Sequence, residues 1–255
     1  MTGQIVDASQ NKPTEPNGKP FLLVVITALL RWIWYAINGG DVTRENKAEK
    51  FWDVLAENFD RQPASEKDEQ IYAGIIENLK RYLKKSDSVL EYGCATGTTI
   101  FEIVEYVHGV SGIDISSKMI ESAQRKAADL KIVKPVFFHA TIFDERLKQG
   151  SYDVVVAFNI LHLLEDIPKV MQRIEEVIKP GGLFISVTPC MGEKKTFLGG
   201  LVSFFSRTGI IPPMQSFTLC DLEDSLAGSG FQVVETACMD PEIPQYFIVA
   251  RKIER

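Results

Sequence analysis

Apolar and polar positions along the chain predict strands separated by helices. Short apolar runs bounded by turn residues have the length and composition of buried strands. Five of them lie at residues 88–93, 110–114, 136–140, 152–159 and 183–188. Helical spacing fills the intervals, roughly at 96–106, 117–130 and 166–178. Because strands joined by helical crossovers lie parallel, we expect an α/β fold with a doubly wound, mainly parallel sheet.

The end of the chain breaks this alternation. Two strand-like runs, residues 231–239 and 245–252, are joined only by the residues DPEIP. Because a parallel crossover needs about a dozen residues or more, this pair is expected to form an antiparallel hairpin. The sequence therefore predicts a seven-stranded sheet with a C-terminal antiparallel hairpin.

The N-terminal part differs in composition from the rest. Residues 1–20 are polar and rich in proline and glycine, so we expect a flexible tail there. Helical spacing of apolar residues begins near residue 46 and continues to about residue 79. We therefore divide the chain into an N-terminal helical extension, residues 1–45, and one domain of residues 46–255.

Residues 21–37, FLLVVITALLRWIWYAI, form the most apolar stretch. As a helix it would be about 26 Å long, slightly shorter than a hydrocarbon core of about 30 Å, and Arg31 opposes insertion. Trp32, Trp34 and Tyr35 cluster at one end, as an interfacial belt would. Three interpretations stay open: association with a membrane, packing on the protein's own surface or a partner chain, or a cleaved signal peptide, for which the basic end is weak and no clear small-residue cleavage site follows. We expect a cytoplasmic protein, peripheral or anchored at the membrane in the first case.

Composition and charge exclude some classes of partner. The formal net charge is −6 and no basic tract occurs, which argues against a nucleic-acid surface. The four cysteines are far apart and the three histidines lack ligand spacing. The sequence therefore predicts neither a disulfide framework nor a metal site.

The turn after the first predicted strand, in VLEYGCATGTT (89–99), is rich in glycine. The dinucleotide fingerprint G-x-G-x-x-G fails, because Ala95 and Thr98 replace its second and third glycines, and no P-loop lysine follows. Asp114 ends the second strand, where a carboxylate can accept both hydroxyls of a ribose. The alternative role for Asp114 is to cap the helix that starts near Ser117.

The segments VLEYGCATG, GIDISSKMI, SYDVVVAFNILHLLED and IKPGGLFIS, in this order and followed by a hairpin, resemble the class I S-adenosylmethionine-dependent methyltransferases over residues 46–255. The resemblance implies S-adenosyl-L-methionine as the cofactor. It places the methionine part on the first turn and the ribose on Asp114, with the adenine beside Ile115 and Met119. The implied turn residues are Glu91, Gly93, Cys94, Ala95 and Gly97, and Asn159 and Ile160 are implied beside the sulfonium.

One position departs from the family pattern. After the third strand the family often has an aspartate that accepts from the adenine amino group, and here Thr141 stands there, followed by Ile142. A threonine hydroxyl can still accept, but the contact loses charge assistance, about 1 kcal/mol. In another register, Asp144 would take this place.

A catalytic base is optional for methyl transfer, because the protein mainly aligns and desolvates the reactants. His162 is the histidine expected at the mouth of the site, where it either acts as a general base or packs in its loop. His139, on the third strand, is expected to be a structural histidine. Cys94 is expected to be a packing residue and not a nucleophile.

Residues 190–217 lie where this family commonly has a substrate lid. Phe197, Leu201, Phe204 and Phe205 form one apolar helical face there, as they also would in a segment that only covers its own core. Together with residues 21–37 they favour a small apolar acceptor, such as a lipid, quinone-like or polyketide-like molecule. The run NILH (159–162) is not the N-P-P-Y type of base-modifying enzymes, so a nucleic-acid substrate is not expected. The alternatives are a protein or hydrophilic acceptor, and a non-catalytic partner subunit that binds the cofactor.

Overall fold

A computed structural model describes residues 30–35, 43, 46–61, 64–194, 200, 204–208 and 210–254. Seven strands form one sheet in the order β3-β2-β1-β4-β5-β7-β6. Strands β1 to β5 pair in parallel, whereas β7 is antiparallel to both β5 and β6. The strands are β1 (Ser88–Tyr92), β2 (Gly109–Asp114), β3 (Val136–His139), β4 (Tyr152–Phe158), β5 (Ile178–Pro189), β6 (Phe231–Asp240) and β7 (Gln245–Lys252). The predicted fold class and the antiparallel C-terminal hairpin are confirmed.

Six α-helices of the described residues have both ends defined and accompany the sheet. They are α1 (Lys47–Ala56), α2 (Glu66–Lys80), α3 (Thr98–Ile103), α4 (Ser117–Asp129), α5 (Ile167–Val177) and α6 (Leu219–Gly228). Polar side chains fix the start of several of them: Ser65 and Thr218 form capping boxes with the third residue of α2 and α6. Asp166 accepts from the Lys169 amide at the start of α5, where a proline occupies the first turn.

Both faces of the sheet are covered, because side chains along a strand point alternately to opposite faces. On one face, Leu90 and Tyr92 of β1 pack in a cluster with α5 and α6. On the other, Val89 packs in a cluster with α2, α3 and α4. The β1–α3 turn, the β2–α4 turn and the segment after β4 all lie at the carboxyl ends of the parallel strands. Doubly wound sheets bind their ligands at this edge.

The segment KPGG (179–182) interrupts the pairing of β4 with β5. The register passes from Tyr152 opposite Ile178 to Val154 opposite Leu183, so extra residues bulge out of β5. A Cβ on Gly182 would lie 2.7 Å from the Asp153 carbonyl oxygen, which explains the glycine. Strand β5 therefore begins at Ile178 and not at residue 183, where the sequence predicted its start, because the bulge lies within the strand.

The N-terminal extension is described only in part. Residues 30–35 are helical, and Trp32 is buried, with its Nε1–H donating to the Ile210 carbonyl oxygen at 2.6 Å and its ring edge-on to Phe51. Leu30 and Trp34 are instead 61% and 68% exposed. The aromatic residues that the sequence grouped as an interfacial belt therefore differ, because Trp32 lies in the interior and Trp34 on the surface. Among the described helices, none combines the length and apolarity needed to cross a membrane.

Candidate active site

The turn after β1 requires residues that tolerate positive φ. Gly93, Ala95 and Gly97 have φ of 76°, 45° and 83°. A Cβ on Gly93 would lie 2.3 Å from the Ile160 Cδ1, so glycine also allows the segment after β4 to approach the turn. Ala95 has no such freedom, and the left-handed conformation costs it about 1–2 kcal/mol. Its amide is correspondingly fixed by Asp114.

Asp114 joins the turn after β1 to the turn after β2. Its Oδ2 accepts from the Ala95 amide at 3.0 Å and its Oδ1 accepts from the Ser116 amide at 2.8 Å. Burial raises its pKa, and both backbone hydrogen bonds oppose the rise. The α4 cap is Ser116, whose Oγ accepts from the Met119 amide at 3.1 Å. Since each carboxylate oxygen keeps a lone pair, Asp114 retains capacity for two further donors.

Glu91 is a buried carboxyl group beside this turn. It is 3% exposed, and its Oε2 has no hydrogen-bond partner among the described residues. Burial raises its pKa to about 8, with Asp114 adding to the rise and the Thr99 side chain opposing it. An acid with an unused buried oxygen suits a cationic group of a ligand, which would restore its charge.

Helix α1 is fastened onto the β2–α4 turn. The buried Asp53 Oδ1 accepts from the Ser116 Oγ at 2.7 Å and from the Lys118 amide at 3.3 Å. On the neighbouring strand, the His139 Nε2 donates to the Ile115 carbonyl oxygen at 2.9 Å and lies 3.6 Å from Glu49 of α1. The expected structural role of His139 is consistent with this contact.

The segment after α1 is fastened onto the β1–α3 turn. The Thr96 hydroxyl donates to the Asp60 Oδ1 at 2.7 Å, and the Lys126 ammonium lies 2.9 Å from the same oxygen and 2.8 Å from the Thr96 Oγ1. Both turns of the site are therefore covered from the same N-terminal segment. Sequence reasoning missed Asp53 and Asp60, because single acids in a helical segment match no motif.

The four residues expected at the adenine differ in their exposure. Ile115 is half-buried, while Met119 is 1% exposed and Ile142 is fully buried in the core cluster that contains α5. The exposed Thr141 accepts from the Phe143 amide through its hydroxyl at 3.3 Å. The side chain of Ile142 thus packs in the core, and only its backbone is left to meet a ligand.

Asp144, the alternative acceptor, is already paired. Its two oxygens accept from the Arg146 guanidinium at 2.8 Å each. Arg146 lowers the pKa of this half-buried carboxyl group to about 2. This pairing favours the register in which Thr141 takes the family position.

A cavity of about 250 Å³ opens beside the end of β4. Asn159 follows β4 with φ of 54°, and its Oδ1 accepts from the Gln245 Nε2 at 2.8 Å. Apolar side chains supply much of the remaining wall. The lining residues are Asp68, Ile71, Tyr72, Ile75, Asn159, Pro189, Asp240, Ile243 and Gln245.

Residues 83–212 match a protein family described as a methyltransferase domain. The match covers half of the chain and includes the turn, Asp114 and Asn159. The chain belongs to this methyltransferase family. The family is that of the class I, Rossmann-like enzymes, which use S-adenosylmethionine as the methyl donor.

Curated relatives of this methyltransferase domain include fungal synthases and a bacterial protein. Fusarin C synthetase of Gibberella moniliformis is 29% identical over 140 residues, which are 51% of this chain and 4% of the synthetase. An uncharacterized methyltransferase of Mycobacterium bovis is 29% identical over 100 residues, 39% of this chain and 49% of that protein. The matches thus span a small part of the first relative and about half of the second.

Solved structures share the fold of the methyltransferase domain. Geranyl diphosphate C-methyltransferase of Streptomyces coelicolor superimposes with a TM-score of 0.62 at 12% identity, over 83% of this chain and 89% of that one. An S-adenosylmethionine-dependent methyltransferase of Methanosarcina mazei gives 0.60 at 21% identity, over 70% and 98%. At these sequence identities, the comparison shows a shared fold only.

The hydrogen-bond acceptors of the site fit the cofactor of the methyltransferases. S-adenosylmethionine carries a ribose with two hydroxyl donors and an ammonium group. Asp114 has two oxygens with spare lone pairs, and Glu91 has one oxygen without a partner among the described residues. The backbone of the turn is accessible because glycine stands at two of its positive-φ positions.

His162 of the methyltransferase domain is enclosed. Its Nδ1 is buried without a hydrogen-bond partner among the described residues, and burial lowers its pKa to about 4. The imidazole is therefore neutral at pH 7 and only weakly basic. Cys94 is 4% exposed and burial raises the pKa of its thiol, which favours the packing role expected from the sequence.

The expected lid is described in part. Phe204 is 58% exposed and its ring meets the Phe205 ring edge-on at 5.6 Å. Phe197 and Leu201 lie outside the described residues. Ile211 and Phe217, towards the end of the segment, are buried, and the Gln215 amide donates to the His162 carbonyl oxygen at 2.7 Å. This end of the segment is thus joined to the loop after β4.

Proposed function

We propose that this chain transfers a methyl group from S-adenosylmethionine to a small, apolar acceptor. The observation that carries the proposal is the pair of buried carboxyl groups, Glu91 and Asp114, on either side of a turn that only small residues can form. The bound cofactor supplies a methyl group already activated on a sulfonium. The protein has to bind it, orient the acceptor and exclude water.

Each residue of the donor site has a definite task in this proposal. Asp114 accepts from the ribose hydroxyls, and Glu91 accepts from the ammonium group. Gly93 and Gly97 let the backbone of the turn approach the ligand. Ile115 and Met119 border the adenine with Thr141 and Ile142, and Asn159 and Ile160 border the reacting end.

Alignment and exclusion of water are the main catalytic contributions of the chain. Holding two reactants in register can remove about 7–11 kcal/mol from a barrier. His162 is neutral at pH 7, but with a pKa of about 4 it is a weak base, suited only to an acidic acceptor group. The proposed reaction therefore does not depend on a strong general base.

Several observations support an apolar acceptor. The cavity beside Asn159 has isoleucine and proline among its walls. Two similar proteins are named as a highly reducing polyketide synthase and a hybrid PKS-NRPS synthetase. One protein of the same fold was solved with geranyl diphosphate bound. A protein or hydrophilic acceptor remains an outcome of the test below.

We also propose that residues 21–37 contact a membrane surface. Leu30 and Trp34 are exposed, lie one helical turn apart and directly follow the apolar residues 21–29. Tryptophan at this position suits the boundary between lipid and water. Sedimentation with lipid vesicles tests this proposal, and a Leu30→Ser/Trp34→Ser variant that sediments as well as the parent chain would contradict it.

Labelled methyl transfer tests the main proposal. Cell extracts are incubated with the protein and deuteromethyl S-adenosylmethionine, then separated into organic, aqueous and protein fractions for mass spectrometry. We expect label in the organic fraction, and much less label with an Asp114→Asn variant at a cofactor concentration that does not saturate it. Label only in the protein or aqueous fraction would refute the apolar acceptor, and label in no fraction would support a non-catalytic partner subunit.

A further inference from the structure

Tyr72 carries a buried hydroxyl group that the methyltransferase motifs do not account for. It lies on α2, outside the segment that matches the family. Its oxygen is inaccessible to solvent and has no hydrogen-bond partner among the described residues. Tyr72 lines the 250 Å³ cavity beside Asn159. Because a buried hydroxyl without a hydrogen-bond partner destabilises the folded state, a ligand that satisfies it is the natural explanation.

The packing of α2 places Tyr72 beside Glu91. Ile75, one helical turn after Tyr72, belongs to the same core cluster as Val89 of β1. Glu91 follows Val89 by two residues and so lies on the same face of the strand, nearer its carboxyl end. Tyr72 precedes Ile75 on the same face of its helix. The two polar side chains therefore approach each other at the end of β1.

Electrostatics agree with this placement. Burial is the main cause that raises the pKa of Tyr72 to about 12, and the Glu91 and Glu102 carboxylates add to it. The Thr99 side chain opposes the rise, although no atom in the described part of the chain meets hydrogen-bond geometry with the tyrosine oxygen. Both Tyr72 and Glu91 thus have unused acceptor oxygens in one buried region.

We propose that Tyr72 binds the amino-acid end of the methyl donor together with Glu91, and that its ring separates that end from the acceptor cavity. This inference rests on the proposed function. An ammonium group has three donors and no acceptor, which suits one carboxylate oxygen and one phenol oxygen. The helix that precedes the family segment thereby supplies part of the donor site.

Two ligands that differ only at this end provide the test. S-adenosylhomocysteine carries the amino-acid end, whereas 5′-methylthioadenosine has the same adenosine and sulfur without it. Isothermal titration calorimetry of the full chain measures the dissociation constant of each. Tyr72→Phe removes only the oxygen. Tyr82→Phe is the matched control, because the Tyr82 hydroxyl donates to Glu235, away from the cavity.

We expect Tyr72→Phe to weaken the binding of S-adenosylhomocysteine about 10-fold or more, as for the loss of a hydrogen bond to a charged group. Its affinity for 5′-methylthioadenosine should stay within about 2-fold of the parent, and Tyr82→Phe should change neither affinity. An unchanged affinity for S-adenosylhomocysteine, or an equal loss for both ligands, overturns the assignment. If the parent chain binds neither ligand, the proposed function itself fails, which is a separate result.

Discussion

The Ser116 hydroxyl donates to the Asp53 Oδ1 at 2.7 Å, joining residues that are 63 positions apart. The same hydroxyl oxygen accepts from the Met119 amide and so caps α4. Helix α1 is therefore fixed over the turn that carries Asp114. The N-terminal part of the domain thus contacts the proposed donor site, although the family match begins only at residue 83.

Removal of this contact should loosen the donor site. Asp53→Ala leaves the Ser116 hydroxyl and the Lys118 amide without their acceptor, so the free energy of unfolding should fall by about 1–3 kcal/mol. Urea unfolding followed by circular dichroism measures the change. Asp129→Ala, an exposed aspartate at the end of α4, serves as the control. Equal effects of the two substitutions would show that the contact stabilises nothing.

Glu91 makes stability depend on pH. The folded protein keeps the proton on this group up to about pH 8, whereas the unfolded chain releases it near its ordinary value of 4.5. The folded state thus binds more protons between these values, and this group's contribution to stability is lost as the pH rises, at about 1.4 kcal/mol per unit at most. Glu91→Gln should therefore become more stable than the parent chain as the pH rises from 5.5 to 8.

Thermal unfolding of both proteins across this range measures the effect. Glu77→Gln, whose carboxyl group is 77% exposed on α2, is the control and should follow the parent chain. A stability difference between Glu91→Gln and the parent that is the same at pH 5.5 and pH 8 would contradict the buried, protonated carboxyl group.

Trp32 should contribute more to the free energy of unfolding than the exposed Trp34. Trp32→Phe loses the hydrogen bond to Ile210 and leaves a small void beside Phe51, so the free energy of unfolding should fall by about 1–3 kcal/mol. Trp34→Phe, at a site 68% exposed, should stay within about 0.5 kcal/mol. Denaturant titrations compare the two. The reverse order of effects would mean that residues 30–35 do not pack on the domain in solution.

Gly93→Ala tests the close approach of two segments at the donor site. The new Cβ would overlap the Ile160 Cδ1, and φ of 76° is strained for alanine, so we expect loss of S-adenosylhomocysteine binding and lower stability. Adding Ile160→Ala removes the atom at 2.3 Å and leaves the Cβ at 3.1 Å. The double variant should recover part of the stability. Without any recovery, the contact with Ile160 would not be the reason for the glycine.

Local patterns were sufficient to predict much of the fold. Short apolar runs bounded by turn residues predicted the strands, and the five-residue connection after residue 239 predicted the antiparallel hairpin. The strand bulge at Gly182 was missed, because KPGG reads equally well as a turn before a strand. Trp32 was grouped with Trp34 because aromatic residues serve both in interfacial belts and in cores, and spacing alone does not separate these uses.

The candidate site was predictable only where residues are close in sequence. The turn from Gly93 to Gly97 and the acid Asp114 carry a recognisable pattern. Tyr72, Asp53 and Asp60 reach the site from helices or turns 19 to 65 positions away, and no spacing rule connects them to it. Such long-range contacts depend on how α1 and α2 pack, which tertiary structure decides.

The most direct test of the account is calorimetric titration of the purified chain with S-adenosylhomocysteine. We predict saturable binding at one site per chain, weakened about 10-fold or more by Asp114→Asn, since that substitution removes the charge that receives the ribose hydroxyls. Asp129→Asn should leave the affinity unchanged. Absence of binding by the folded parent chain, or equal affinity of the parent and Asp114→Asn proteins, would contradict the assignment of this edge of the sheet as the methyl-donor site.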